Sequence, residues 1–162
     1  MKITLSQKHY KITWLKVDAS LVYLAQTDTT VGFLSQDKTK LNVIKERKLD
    51  QPCLICVPTY SSLLTKTRVP NAFKNRVRRA KKTTFLYPNG LAIRVVMDPY
   101  HKAFLKQFGW MYSTSANFSG KSFDYSFALE KADKIVEDER GFFEAPASKL
   151  WQIRSNRKRR VR

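Results

Sequence analysis

The stretch Ser113-Thr-Ser-Ala-Asn-Phe-Ser-Gly120 (STSANFSG) places four hydroxyl side chains and one carboxamide within eight residues. It continues from residues 110–113, which predict a short strand, and it reads as a loop of small residues. Two further polar turns are 27–30, after a predicted strand at 21–26, and 45–47, at the end of a predicted helix. Binding groups often gather in loops that follow strands. Taken singly, each turn is also explained by hydroxyls that bond the local backbone, or by cations that complement a helix dipole.

The order of the other predicted elements indicates a mixed α/β domain with α+β character. Strands are predicted at 21–26, 51–58, 83–87, 91–96, 110–113 and 149–153, and helices at 38–48, 59–64, 70–80, 98–108 and 127–134. The Pro88-Asn-Gly90 turn predicts a hairpin, so the sheet should contain antiparallel pairs. No internal repeat or linker interrupts this pattern.

Two cysteines, Cys53 and Cys56, have the C-x-x-C spacing of some redox and metal sites. They lie in an apolar run between two prolines, which predicts a buried strand, and residues three apart on a strand point to opposite faces. The histidines, His9 and His101, are distant in the sequence. We therefore interpret the cysteines as buried structural thiols and predict no metal site.

Positive charge is concentrated in two segments without acidic residues. The 162-residue chain has 31 Lys and Arg against 13 Asp and Glu, a net charge of +18. Residues 66–82 hold eight of the basic residues and residues 154–162 hold six. Such segments form either solvated faces or phosphate contacts, and the presence of two favours a polyanionic partner, which from charge alone is a nucleic acid, a phosphorylated ligand or an anionic membrane. The candidate nucleic-acid contacts are Arg76, Arg79, Arg157 and Arg159.

The hydropathy pattern argues against a membrane protein. The longest apolar runs have five residues, too few to span a bilayer. Residues 1–17 alternate polar and apolar side chains and lack the apolar centre of a signal peptide. The sequence predicts a cytoplasmic protein with one domain over residues 1–153 and a basic C-terminal tail over residues 154–162.

Together, the three polar turns resemble the motifs of the YrdC-like threonylcarbamoyl-AMP synthases. STSANFSG is similar to the family's S-T-S-A-N-x-S-G, and QTDTTVG at 26–32 is similar to its P-T-D-T-V-Y-G. Lys45-x-Arg47 is similar to its K-x-R-P, and GLAIRV at 90–95 to the strand that carries a family arginine. The resemblance covers residues 21–120, with weaker similarity beyond. It implies an open, twisted mixed sheet with flanking helices and a concave basic face.

The resemblance also implies an enzyme. The expected activity is that of a nucleotidyltransferase that forms threonylcarbamoyl-AMP and pyrophosphate from L-threonine, bicarbonate and ATP, with Mg²⁺ carried by ATP. Transferase proteins of tRNA modification would then use the product to make threonylcarbamoyladenosine in tRNA. Both chemical steps bring anions together, so such a site needs cations and oriented donors more than a strong base.

The family's roles can be carried over to matching positions of this chain. Lys45 and Arg47 are the expected catalytic residues and would also bind ATP. The remaining expected ATP-binding residues are Thr84, Ser115 and Asn117. The expected threonine-binding residues are Thr27, Arg94 and Thr114.

The sequence departs from the family pattern at several positions. Gln26 and Lys48 replace prolines, Val31 replaces an aromatic residue and Asp98 replaces a histidine. Residues 80–82 (AKK) replace Pro-Gly-Pro, so part of the basic segment 66–82 is expected to border the nucleotide cleft. The short segment before the first motif suggests that the usual first helix is trimmed.

Two other hypotheses stay open from the sequence. One is a diverged, non-catalytic YrdC-like module that binds RNA through its cationic segments. The other is a ribosome-associated structural protein, which explains the basic tail but not STSANFSG.

Overall fold

A mixed β-sheet runs through the domain. The computed structural model describes residues 17–162 and, before them, the backbone of one strand at residues 2–5. Within these residues the strands are β1 (Lys2–Leu5), β2 (Tyr23–Gln26), β3 (Val31–Ser35), β4 (Leu54–Val57), β5 (Thr83–Leu86), β6 (Ala92–Val95), β7 (Met111–Ser115), β8 (Lys134–Asp138), β9 (Lys149–Ile153) and β10 (Lys158–Arg160). Their spatial order is β1-β8-β2-β3-β7-β4-β6-β5-β9-β10.

Short helices connect these strands. They are α1 (Lys38–Ile44), α2 (Tyr60–Leu64), α3 (Lys74–Arg79), α4 (Pro99–Lys106) and α5 (Tyr125–Lys131), and a 3₁₀ turn at Asn71–Phe73 precedes α3. Side-chain oxygens cap several of them: Asp37 accepts from Thr39 N and Lys40 N, and Thr59 accepts from Ser62 N. Such caps satisfy backbone donors that have no partner within the helix. The predicted starts of α1 and α2 are therefore confirmed.

The two faces of the sheet pack against different helices. On one face, Ile55, Phe85 and Ile93 contact the buried side chains of α2 and α3, among them Val77. On the other face, Cys56 and its neighbours pack against α4. Because side chains alternate along a strand, this arrangement puts successive residues of β4, β5 and β6 on opposite sides of the domain.

The cysteines behave as predicted. Cys53 and Cys56 are both buried free thiols, and they belong to different apolar clusters. Burial is the main cause of the raised pKa of both thiols. Within the described residues, no group of three His, Cys, Asp or Glu side chains could hold a metal ion.

Several elements differ from the prediction. Residues Val31–Ser35 form β3, where no strand was predicted, and Lys134–Asp138 form β8, which begins at the residue predicted to end a helix. Helix α1 ends at Ile44, four residues early, because Glu46 takes a positive φ. The predicted tail contains β10, which pairs antiparallel with β9.

Some predictions concern residues that the structure does not describe. The predicted trimming of the first helix and the predicted lack of a signal peptide concern mainly residues 6–16, which also contain His9 and lie outside the described part. No described helix is long and apolar enough to cross a membrane.

Candidate functional site

The three polar turns meet at one open cavity of about 400 Å³. β7 brings the STSANFSG segment beside β3, with Gly32 opposite Ser115, and the end of α1 lies next to both. Seven of the eight residues predicted to bind substrates line this cavity: Thr27, Lys45, Arg47, Arg94, Thr114, Ser115 and Asn117. Segments as distant as residues 27 and 117 therefore form one site.

A Schellman turn at the end of α1 presents the two predicted catalytic cations. Glu46 adopts the left-handed conformation with a φ of 50°. The N–H of Arg47 donates to the carbonyl of Asn42 at 3.1 Å, and that of Glu46 to the carbonyl of Val43 at 3.0 Å. This pattern terminates a helix and reverses the chain. As a result, Lys45 and Arg47 both line the cavity although they flank the turn.

The Lys45 side chain fastens the STSANFSG loop. Its ammonium donates to the carbonyl of Ser115 at 3.1 Å, to Oδ1 of Asn117 at 2.9 Å and to the carbonyl of Asn117. The residue is only 5% exposed. Burial, with the nearby Arg47 charge, lowers the pKa of Lys45 to about 8.

Arg47 is held in place by a buried residue that the sequence did not single out. Its Nε donates to Oδ1 of Asn42 at 2.7 Å, and its Nη2 to Sγ of Cys53 at 3.2 Å. Asn42 is fully buried and also donates to the carbonyls of Leu49 and Gln51. Asn42 therefore positions the guanidinium that faces the cavity.

Close backbone approach explains the glycine of the QTDTTVG motif. A Cβ on Gly32 would lie 2.9 Å from the carbonyl oxygen of Thr114 and 3.1 Å from Cγ2 of Thr27. Real Cβ atoms essentially never lie as close as 2.9 Å to a backbone oxygen. Only glycine at this position lets β3, β7 and the 27–30 turn come together around the cavity.

Hydrogen bonds within the 27–30 turn fix its hydroxyls. The Thr27 hydroxyl donates to the carbonyl of Thr30 at 2.6 Å and accepts from the N–H of Thr29 at 3.1 Å. Gln26 donates from Nε2 to the carbonyl of Thr29 and accepts from the N–H of Phe143 through Oε1. The Gln26 side chain thus ties down the turn at the position where the family has a proline.

A buried charged group lies beneath this turn. Arg94 Nη2 is 3.3 Å from Oδ1 of Asp28, and its Nη1 donates to the Thr29 hydroxyl at 3.3 Å. Burial raises the pKa of Asp28, but the positive charge of Arg94 beside it outweighs burial, so that pKa is lowered. The charge of Arg94 is already balanced, and its guanidinium holds Thr29 from below.

His101 completes the group as a neutral imidazole. Its Nδ1 accepts from the N–H of Asp28 at 3.2 Å, and the side chain is fully buried. Burial is the main cause of its lowered pKa. His101 does not occupy the position where the resembled family has a histidine. This chain has Asp98 there, which caps α4 and forms an ion pair with Arg140 at 2.9 Å.

Thr84 lies one layer behind the cavity. It is buried, and its hydroxyl forms a 2.9 Å hydrogen bond with the hydroxyl of Ser148. Ser148 itself lines the cavity and was not predicted. Thr84 was predicted to bind ATP, but among the described residues it is Ser148, and not Thr84, that faces the open space of the cavity.

A β-bulge brings a further cation to the cavity. The N–H groups of Val161 and Arg162 both donate to the carbonyl of Leu150, at 2.8 and 3.3 Å. In such a bulge, two residues of one strand lie opposite a single residue of the neighbouring strand. The alternation of side chains is interrupted there, so the following side chain points to the other face of the sheet. Arg162 lines the cavity, and its Nε donates to the carbonyl of Ser148 at 3.3 Å. Nothing local in the sequence distinguishes Arg162 from the other basic residues of 154–162.

The basic segment 66–82 does not border the cavity, contrary to expectation. None of its Lys or Arg side chains is among the cavity-lining residues of the described chain. Arg76 and Arg79 lie instead at a groove beside Trp151. The physical reason is strand alternation: Thr84 points toward the cavity wall, so Thr83 and Phe85 point to the opposite face, where α3 packs. Arg157 and Arg159 are exposed on the β9–β10 hairpin.

Comparisons with known proteins identify the fold. No protein-family model and no curated protein sequence matches the chain significantly. E. coli YciO superposes with a TM-score of 0.71 at 18% identity, over 88% of this chain and 82% of YciO. MTH1692 from Methanobacterium thermoautotrophicum gives 0.62 at 19%, over 88% and 80%. P. abyssi Sua5, solved in complex with L-threonine, gives 0.69 at 17%, over 83% of this chain and 47% of Sua5.

These likenesses confirm the predicted fold. The chain has the YrdC-like architecture, an open mixed sheet with flanking helices. It spans about half the length of Sua5. Because all three sequence identities are below 20%, what these proteins share with this chain is the fold alone.

Proposed function

We propose that this protein is a threonylcarbamoyl-AMP synthase, a nucleotidyltransferase that joins L-threonine, bicarbonate and ATP and releases pyrophosphate. The observation that carries the proposal is the convergence of Lys45, Arg47, Ser115 and Asn117 on one cavity. Four cations line that space, Lys45, Arg47, Arg94 and Arg162, and of these Arg94 is already paired with Asp28. A triphosphate and a carbamate are both anionic, and such a cluster would neutralise them together.

The reaction places two demands on the residues of the cavity. The threonine amine attacks the carbon of bicarbonate and forms a carbamate, with loss of water. A carbamate oxygen then attacks the α-phosphorus of ATP, and the bond from that phosphorus to the pyrophosphate oxygen breaks. Lys45 and Arg47 would hold the phosphates, Lys45 as a point charge and Arg47 as a planar fork. Mg²⁺ would enter with ATP and share the phosphate charge.

The threonine side of the site draws on the 27–30 turn. Thr27 and Thr114 would orient the amino acid, while Arg94, buried and paired with Asp28, would support that surface through Thr29. The complex of P. abyssi Sua5 with L-threonine supports this choice of amino acid. Holding three substrates in register supplies much of the rate in such a reaction. The product would pass to transferase proteins of tRNA modification.

The test is pyrophosphate release from the full chain with ATP, Mg²⁺, bicarbonate and L-threonine. We expect release that depends on both threonine and bicarbonate, with threonylcarbamoyl-AMP detected by mass spectrometry. Lys45→Met should reduce the rate at least 100-fold, because it removes the phosphate-facing charge and keeps the side-chain length. Lys48→Met is the matched control, since Lys48 is exposed and does not line the cavity.

Two results would contradict the proposal. One is ATP hydrolysis to ADP and phosphate with no dependence on threonine. The other is equal activity of the Lys45→Met and Lys48→Met variants, which would separate the turnover from this cavity.

A further inference from the structure

One half of the domain contains no acidic residue. Residues 51–97 and 145–162 carry sixteen Lys and Arg and no Asp or Glu. These residues form β4, β5, β6, β9 and β10 together with α2 and α3, which are contiguous in the sheet order. Among the described residues, Arg94 is the one of these sixteen that forms an ion pair. Apart from Arg162, which lines the cavity, the two basic segments seen in the sequence therefore contribute cations that no described carboxylate balances.

The segments meet at Trp151 on β9. The Arg76 guanidinium lies over its ring at 5.0 Å and the Lys158 ammonium at 5.4 Å. Arg76 comes from α3 and Lys158 from β10, so the indole fixes cations from both segments beside each other. Contacts of this kind hold flexible cationic side chains in place without neutralising them.

A groove of about 470 Å³ opens at this point, and we call it the Trp151 groove. The lining residues used in the argument are Arg76, Arg79, Lys81, Thr83, Lys149 and Trp151. The four cations among them are exposed. The register of β10 with β9 adds Arg160, which pairs with Trp151 and so shares its face.

The Trp151 groove and the substrate cavity lie on opposite faces of the sheet. Thr83 and Phe85 line the groove, whereas Thr84 between them bonds to Ser148 of the cavity wall. In the same way, Lys149 lines the groove, whereas its neighbour Ser148 lines the cavity. An occupant of the groove would therefore leave the cavity free for nucleotide.

We propose that the Trp151 groove binds a nucleic-acid strand through its phosphates. A phosphodiester backbone is a regular array of negative charges and gains from a row of fixed, unpaired cations by releasing its counterions. A membrane surface would call for exposed apolar side chains at the contact, and the groove instead offers a recessed indole flanked by guanidinium and ammonium groups. This binding site is separate from the proposed synthase activity and does not depend on it.

The test is fluorescence anisotropy with a 5′-labelled single-stranded 20-nucleotide RNA at several KCl concentrations. The variant Arg76→Ala/Arg79→Ala/Lys158→Ala should weaken binding at least tenfold. It should also lower the slope of log affinity against log salt by about 2, because each phosphate contact on a single strand contributes roughly 0.7. Lys48→Ala/Lys106→Ala/Lys131→Ala is the matched control, with the same net charge, and should bind like the unaltered protein.

Saturating ATP–Mg²⁺ and the Arg47→Ala variant should leave RNA binding unchanged. Both triple variants should keep the nucleotide affinity of the unaltered protein, which separates this test from that of the synthase proposal. Equal weakening by the two triple variants would overturn the inference, since it would indicate net charge alone. Competition by ATP would also overturn it, because the strand would then occupy the cavity. Binding to vesicles containing phosphatidylserine without binding to RNA would replace nucleic acid by a lipid surface.

Discussion

Raising the pH from 7 to 9 should weaken ATP binding about tenfold, because Lys45 loses its proton in that interval. Its pKa is lowered to about 8, chiefly by burial. The protonated fraction falls from about 0.9 at pH 7 to about 0.1 at pH 9. If the ammonium is the form that holds the phosphates, the apparent Kd follows that fraction.

The assay is calorimetric titration of ATP–Mg²⁺ without threonine, so that the amine of the amino acid does not contribute. Lys45→Arg should give a flat profile over the same interval, since a guanidinium stays charged. Lys48→Arg, the matched control, should keep the tenfold change. A flat profile for the unaltered protein, or the same fall in Lys45→Arg, would refute the reasoning.

The titration of Lys45 does not itself destabilise the fold over this interval. The pKa of Lys45 is lower in the folded chain than its ordinary value of 10.5. The unfolded chain therefore binds more protons between those two values, and the contribution of Lys45 to stability rises with pH there. Nucleotide affinity and this stability contribution change in opposite directions as the pH increases.

Two substitutions test how the site is supported. Asp28→Asn should lower the free energy of unfolding by about 3–5 kcal/mol, measured in urea, because it leaves the buried charge of Arg94 unbalanced; a loss below 1 kcal/mol would contradict the buried pair. Glu46→Gly should raise the free energy of unfolding by about 1 kcal/mol and Tm by about 2–4 °C, because glycine accepts a positive φ without strain. A lower Tm in that variant would contradict the Schellman turn.

Local signals made much of the fold and site predictable from the sequence. Caps such as Asp37 and Thr59, and the hairpin at Pro88-Asn-Gly90, act within a few residues of where they stand. The cavity residues were found because their motifs are short and keep a fixed spacing. The strand β3 was missed because it follows the 27–30 turn directly, and it is buried on both faces, so it shows no alternation.

The features that escaped prediction depend on pairing between distant segments. Arg162 reaches the cavity through a bulge that exists only when β10 lies against β9. Asn42 looks like an ordinary helix residue until Arg47 folds back on it. Likewise, the two basic segments are visible in the sequence, but their meeting at Trp151 requires that β9 lie beside β5.

The sheet order has a kinetic consequence. The pairs that enclose the cavity join Gly32 to Ser115 and Thr84 to Leu150, and β2 pairs with β8 more than 100 residues away. Closing such long loops costs chain entropy before the strand contacts compensate for it, and topologies of this kind fold slowly. The cavity therefore depends on strand pairs that close long loops, and we expect it to form only when those distant pairs are in place.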